Sequence, residues 1–412
     1  MRAAKGMSSS DAARAPGRSR TPVPPRVRWF IVLLAPSAIA YGFLLVWISA
    51  YLPEIGFDSG TVGLLLGVNG VALVAGSIPL SLLADRTGKK HVLLAALVAF
   101  SPTLVVFALT TDVSILLVAA ILVGLVDGAF QSTWNAMIAD QTEPENRDHA
   151  FALSFILSSL CIGIGYSLPY FFPPIEAAFH VDSRTVHNAA MLVLGAVALV
   201  SPPAIYVLLR DQPDAPRATG RAFRGRELRP LLKFSGINSL IGLGAGFFIP
   251  LVPTWLFLKF GVSDQYSGPV LAVASFTIAF AAIGSARLSR RFGSVRAIVM
   301  AQGLSTVFML SLAFAPDAIS ASSLYIVRAT LMNMSAPLAD AFLMGIVRPD
   351  QRSFASALNS LVWRLPNSVS TVVGGILMAA GFLDLPIFLA TSFYVSSITL
   401  FFAVFRAVKP TT

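Results

Sequence analysis

Of the 412 residues, 56% are hydrophobic and only 12% charged, with a mean hydropathy of +0.76. Soluble domains carry about a quarter of their residues as charges, so this composition excludes a cytosolic enzyme, a disordered chain and a nucleic-acid module. The +10 net charge reflects where the cations sit, as shown below, and the single cysteine, Cys161, excludes a disulfide framework and a thiolate metal cluster.

A spanning helix needs about 20 apolar residues. Runs of that kind fall at 29–53, 62–84, 91–110, 114–139, 150–172 and 187–209, then at 235–258, 266–288, 297–315, 319–346, 354–380 and 384–406. An even number of spans returns both termini to one side. Strands of a membrane barrel would be about ten residues long with alternating polarity, and no such pattern is present. Residues 1–27 read as a disordered tail. They do not form a secretory signal, because the apolar stretch after Arg28 runs to spanning length. The chain then divides into a six-span bundle at 28–210, a polar linker at 211–232 and a second bundle at 233–408.

Lys and Arg cluster before the first span, after the second, eighth, tenth and twelfth, and in the linker. The opposite loops hold only Arg184 and Lys259. The positive-inside rule puts both termini and the linker in the cytoplasm.

Shifting the chain by 205 residues aligns Gly56 with Gly261, Gly63 with Gly268 and Gly88 with Gly293. It also aligns Pro144–Arg147 with Pro349–Arg352. Two six-span halves of the same orientation imply a pseudo-two-fold axis along the membrane normal, with a substrate site between them. After the second span the sequence reads Ser81-Leu82-Leu83-Ala84-Asp85-Arg86-Thr87-Gly88-Lys89-Lys90. This resembles the Gly-x-Leu-Ala-Asp-Arg-x-Gly-Arg-Lys loop of the major facilitator superfamily of secondary transporters. The second copy, Ala286 to Gly293, has Arg290 where that family usually has Asp. The resemblance covers residues 28–408. It implies an all-α membrane fold of twelve helices in two pseudo-symmetric bundles, with helices one, four, seven and ten lining the cavity.

Physically, Gly88 permits a tight turn, and Arg86, Lys89 and Lys90 are expected at the anionic inner leaflet. Four charges lie inside spans: Asp127, Arg328, Asp340 and Arg364. Charges there are costly and face a cavity or a partner. The repeat places Asp127 and Arg328 within about 6 Å in depth. Asp127 is then a proton or cation site and Arg328 an anchor for an anionic group, with Asp340 and Arg364 near enough in depth to pair; two structural ion pairs are the alternative. Tyr41, Gln131, Trp134, Asn135 and Asn238 complete a candidate wall that suits an amphipathic solute. Trp47, Tyr51 and Trp255 sit near span ends, where interfacial anchoring and substrate contact are both open. The family's antiporter signature in helix five and its helix-four Arg are not matched. All four histidines lie in loops or at span ends, which gives no sign of zinc or a histidine relay.

Three functional readings stay open: export of amphipathic compounds with or without proton coupling, uptake of a small carboxylate through Arg328, and a transport-inactive receptor or scaffold. No cofactor is called for, and the expected partners are a small solute, protons and the bilayer, with the protein a monomer. Opposite polarities in the repeated loops suggest two cytoplasmic latches. Asp85 would face the start of span eleven beside Arg352, and Arg290, near Gly293, would face the acidic loop of Asp140 and Glu143 around Arg147. Tags at either terminus or within 211–232 should react only from the cytoplasm and residues 176–184 only from outside; outside labelling of the linker would end the twelve-span topology.

Overall fold

The computed structural model describes residues 22–211, 229–347 and 352–406. Its helices number twelve when short breaks are bridged. The first bundle holds α1 (Pro25–Glu54), α2 (Ser59–Thr87), α3 (Lys89–Leu109), α4 (Val113–Asp140), α5 (Pro144–Phe179, with a 3-10 turn at Leu168–Phe171) and α6 (Ser183–Leu208). The second holds α7 (Arg229–Phe260), α8 (Asp264–Phe292), α9 (Ser294–Leu312), α10 (Ala318–Ile346), α11 (Arg352–Ala379) and α12 (Leu385–Phe405). Most of the linker expected at 211–232 lies outside the described residues.

Acidic caps start three helices on the side expected to face outward. Asp58 accepts the Thr61 N–H at 3.0 Å, Asp112 the Ser114 N–H at 2.8 Å, and Asp317 the Ser320 N–H at 2.9 Å. Each satisfies an otherwise orphaned donor. The bond from the Thr61 hydroxyl, with backbone donors, holds the Asp58 carboxyl below its usual range. Helix α5 begins before the 150–172 expected from apolarity. Its polar first turn is held by Pro144 and by a capping box in which Asn146 accepts the Glu143 N–H at 3.1 Å.

The 205-residue repeat is a repeat of backbone constraints. Gly56 and Gly261 have φ of 98° and 68°, and Gly88 and Gly293 have 102° and 79°, a region that L side chains rarely adopt. The repeat also relates contacts. A Cβ on Gly63 of α2 would lie 2.8 Å from the Thr371 carbonyl of α11, while one on Gly268 of α8 would strike the Tyr166 carbonyl of α5. Those two pairs are the same contact shifted by 205 residues. On the axis itself, the Thr254 hydroxyl of α7 donates to the Ser49 carbonyl of α1 at 2.5 Å, and these positions again differ by 205. A π-turn over Trp47–Tyr51 loosens the α1 ladder at that carbonyl.

These cross-bundle contacts all lie in the outer half of the helices. Below Gly70, which meets Ser368, α2 turns to its own bundle and Gly76 packs on Leu125 of α4. The bundles therefore meet at the helix ends that carry Gly63 and Gly268 and part towards the other ends, the side expected from the Lys and Arg pattern to be cytoplasmic. Gly63→Val and Gly268→Val should each cost about 1–3 kcal/mol by overpacking. That should open the outer seam by roughly 5- to 150-fold, read as faster alkylation of Thr254→Cys from outside. Gly303→Ala, whose Cβ meets nothing within 4 Å, should change nothing; equal rates in all three variants would contradict the seam.

Candidate substrate cavity

A cavity of about 750 Å³ lies between the bundles on the parted side. Helix α4 is its main wall. Asp127, Gln131 and Asn135 recur every fourth residue and so share one face, flanked by Phe130 and Trp134. Just beside that face lie glycines: Gly124 and Gly128 sit against the Asn69 and Leu73 carbonyls of α2, which fixes how α4 is turned. Helix α1 adds Tyr41, α3 adds Phe100 and α5 adds Ser154, Phe155 and Ser158. From the second bundle come Asp340 of α10 and Arg364 of α11.

A polar chain crosses the cavity. Gln131 Nε2 donates to both Asp127 oxygens at 3.0 and 3.1 Å, and its Oε1 accepts from Arg364 Nη2 at 2.8 Å. The Tyr41 hydroxyl donates to Asp127 at 3.4 Å. One amide thus links an acid of the first bundle to a base of the second. Trp134 is held rigidly, stacked on Phe30 and Phe130 at 4.4 and 5.2 Å, with its indole N–H on Ser154 at 2.9 Å.

The structure pairs the four intramembrane charges differently from the sequence expectation. Arg328 is 3% exposed and does not meet Asp127. It turns into the second bundle, where Nη2 donates to the Tyr394 hydroxyl at 2.6 Å and the guanidinium lies 5.4 Å from that ring's centre. Depth along the axis had suggested a partner, but the helix face decides, and Arg328 is on the side of α10 towards α12. Asp340 and Arg364 both line the cavity, yet Arg364 bonds Gln131 and, at 3.3 Å, Ser360. Asn238 lies elsewhere, donating to Asn359 at 3.1 Å within the second bundle. Trp47, Tyr51 and Trp255 are buried in the outer seam and not at a lipid interface.

The residues expected at the cytoplasmic surface are also placed differently. Lys89 and Lys90 are 9% and 8% exposed and so do not face headgroups. Lys89 pairs with Asp140 and Lys90 donates to the Leu209 carbonyl at 2.7 Å, tying α3 to α4 and α6. Arg147 donates to the Ala139 and Thr142 carbonyls, each at 3.2 Å, at the end of α4. Asp85, Arg86 and Arg290 stand exposed. The side chain of Arg352 lies outside the described residues.

Sequence reasoning missed the hydroxyl ladder of α5 at Ser154 and Ser158, although their spacing of four was visible. It also missed the burial of His187, which has 0% exposure although it starts a helix.

Residues 30–369 match the pattern of the Major Facilitator Superfamily. The chain belongs to that family. Quinolone resistance protein NorA of Staphylococcus aureus (strain COL) is 23% identical over 370 residues, covering 85% of this chain and 89% of that protein. A bacterial homologue of the human lysosomal transporter Spinster, solved inward-facing and occupied, has a TM-score of 0.72 at 15% identity, covering 93% of this chain and 96% of that one. An auto-inhibited POT family peptide transporter has a TM-score of 0.74 at 12% identity, covering 94% and 98%. The fold is that of a multi-pass secondary transporter.

If Gln131 joins the bundles electrostatically, Gln131→Leu and Arg364→Met should not be additive. A double-mutant cycle on thermal stability should give a coupling of about 0.5–3 kcal/mol, and additive losses would contradict the bridge.

Proposed function

We propose that this protein exports amphipathic organic solutes from the cytoplasm by alternating access. It would work as a monomer in the cytoplasmic membrane, with both termini inside. The observation that carries this reading is the Asp127–Gln131–Arg364 chain set in an aromatic wall between the bundles. The cavity volume falls in the range of about 300–1,000 Å³ that takes drug-sized molecules. Tyr41, Phe100, Phe130 and Phe155 supply flat apolar surface, and Ser158 and Asn135 supply neutral hydrogen bonds. Two carboxylates and one guanidinium leave the cavity net acidic, which favours a solute with an apolar body and a cationic group. The name of NorA points to resistance against a drug-sized compound, which fits the same chemistry. In this reading Asp127 binds either the solute's cation or the counter-moving proton.

Uptake of a carboxylate through Arg328 draws less support, because that guanidinium is buried against Tyr394. Asp85 and Arg290, exposed here, are proposed to engage when the cytoplasmic side closes.

The test is uptake of a fluorescent amphipathic cation into inside-out vesicles under an imposed pH gradient. Asp127→Asn should cut gradient-driven uptake at least about tenfold, the equivalent of 1.4 kcal/mol. Arg364→Ala should slow a zwitterionic dye more than a purely cationic one. Wild-type rates for both variants on both dyes would contradict this role for the cavity.

A further inference from the structure

A second cluster of titratable groups lies about the outer ends of α1, α6 and α8, away from the cavity. His187 of α6 and Asp264 of α8 are both fully buried, and His187 Nε2 lies 2.7 Å from Asp264 Oδ2 across the two bundles. Glu54, ending α1, accepts the backbone N–H of Asp264 and so caps α8 from the opposite bundle. Tyr51 stacks on the imidazole at 3.7 Å and 6°, while Phe172 meets it edge-on at 4.7 Å. Asp264 Oδ1 is buried and has no hydrogen-bond partner among the described residues.

The protons can be counted from the partners. His187 Nδ1 lies 2.7 Å from the Ser183 carbonyl, which only accepts, so Nδ1 carries a hydrogen. The Ser183 hydroxyl, also near Nδ1 at 3.2 Å, is the weaker contact. The 2.7 Å approach of Nε2 to a carboxylate oxygen requires a second hydrogen between them. The pair therefore holds one proton more than a neutral imidazole beside an ionised acid. Without it, the ring keeps its hydrogen on Nε2 for Asp264, and Nδ1 is left with the Ser183 carbonyl at 2.7 Å and a hydroxyl donor at 3.2 Å. Other charged groups lie near the cluster. On the packed elements they are Asp182 and Arg184 at the start of α6, Glu176 on the helix bearing Phe172, Asp58 before α2 and Lys259 at the end of α7. Lys259 is taken by Asp384 at 2.7 Å.

We propose that His187, Asp264 and Glu54 form a proton-binding site at the outer seam, and that the bound proton holds the outer side closed. Loss of the proton to outside water leaves the two carboxylates facing each other across the bundles with no cation between them. Parting the bundles then lets water solvate each acid separately. The closed state binds the proton more tightly than the open one, so by linkage closure is favoured at low pH and lost as pH rises. The site exchanges with the outer side, so it senses outer pH independently of what occupies the cavity. The inference assumes the two-state movement of the proposed transport cycle but no particular solute.

The test is a distance measurement on the full-length protein in lipid nanodiscs, without solute. Spin labels go on Phe179→Cys and Phe382→Cys, both exposed on outer segments of opposite bundles, in a Cys161→Ser background. Between pH 5.5 and 8.5 the short outer distance should give way to a longer one, with the closed-to-open ratio falling up to about tenfold per pH unit for one proton. His187→Gln keeps an N–H for Asp264 but removes the imidazole, so its closed-to-open ratio should fall less steeply across that range. A distribution independent of pH in the parent, or an unchanged pH profile in His187→Gln, would overturn the proposal. Either result leaves the transport reading standing, because no solute takes part.

Discussion

Close approach of helix backbones at glycine is the interaction on which the rest of this structure depends. In lipid, helices gain little from burying apolar side chains against one another, so association rests on packing and on hydrogen bonds. Gly63 against Thr371 and Gly268 against Tyr166 bring α2 onto α11 and α8 onto α5. Because the two contacts are related by the repeat, they grip the seam evenly about the axis where Thr254 meets Ser49. Pinned there, long rigid helices diverge below, and the space between them becomes the cavity.

That cavity in turn answers an electrostatic demand. A charge in the membrane interior is tolerated only where it finds a partner or water. Asp127 and Arg364 find a partner on the cavity wall, joined through Gln131, whereas Arg328 meets a hydroxyl and an aromatic face. The same demand explains the outer cluster, in which the buried His187 and Asp264 are partners across the bundles. Binding and gating thus follow from one rule applied at two depths of the membrane.

Much of this was legible in the sequence, because period and composition speak directly about helices in lipid. The twelve apolar runs match α1–α12 to within a few residues, except at α5 and α7, which begin earlier, α5 because a capping box starts it in a polar loop. The repeat glycines proved to share backbone conformation as well as position. Lys89 and Lys90 were misjudged because composition assigns cations to headgroups and cannot show a side chain turning inward onto Asp140 or the Leu209 carbonyl. Pairings such as Asp127 with Arg328 failed for a related reason: depth follows from counting residues, but rotation about the helix axis depends on which face the glycines hold against a neighbour. The His187–Asp264 contact joins residues 77 apart across the bundle boundary, and no local pattern announces it.

The central claim is that the cavity is reached from the cytoplasm while the glycine seam seals the outside. Its most direct measure is the side from which Asn135→Cys reacts, in a Cys161→Ala background, with a membrane-impermeant maleimide. Asn135 is exposed on the cavity wall. In solute-free protein, inside-out vesicles should label rapidly and right-side-out vesicles only slowly. Equal labelling from both sides, or faster labelling from outside, would contradict the account.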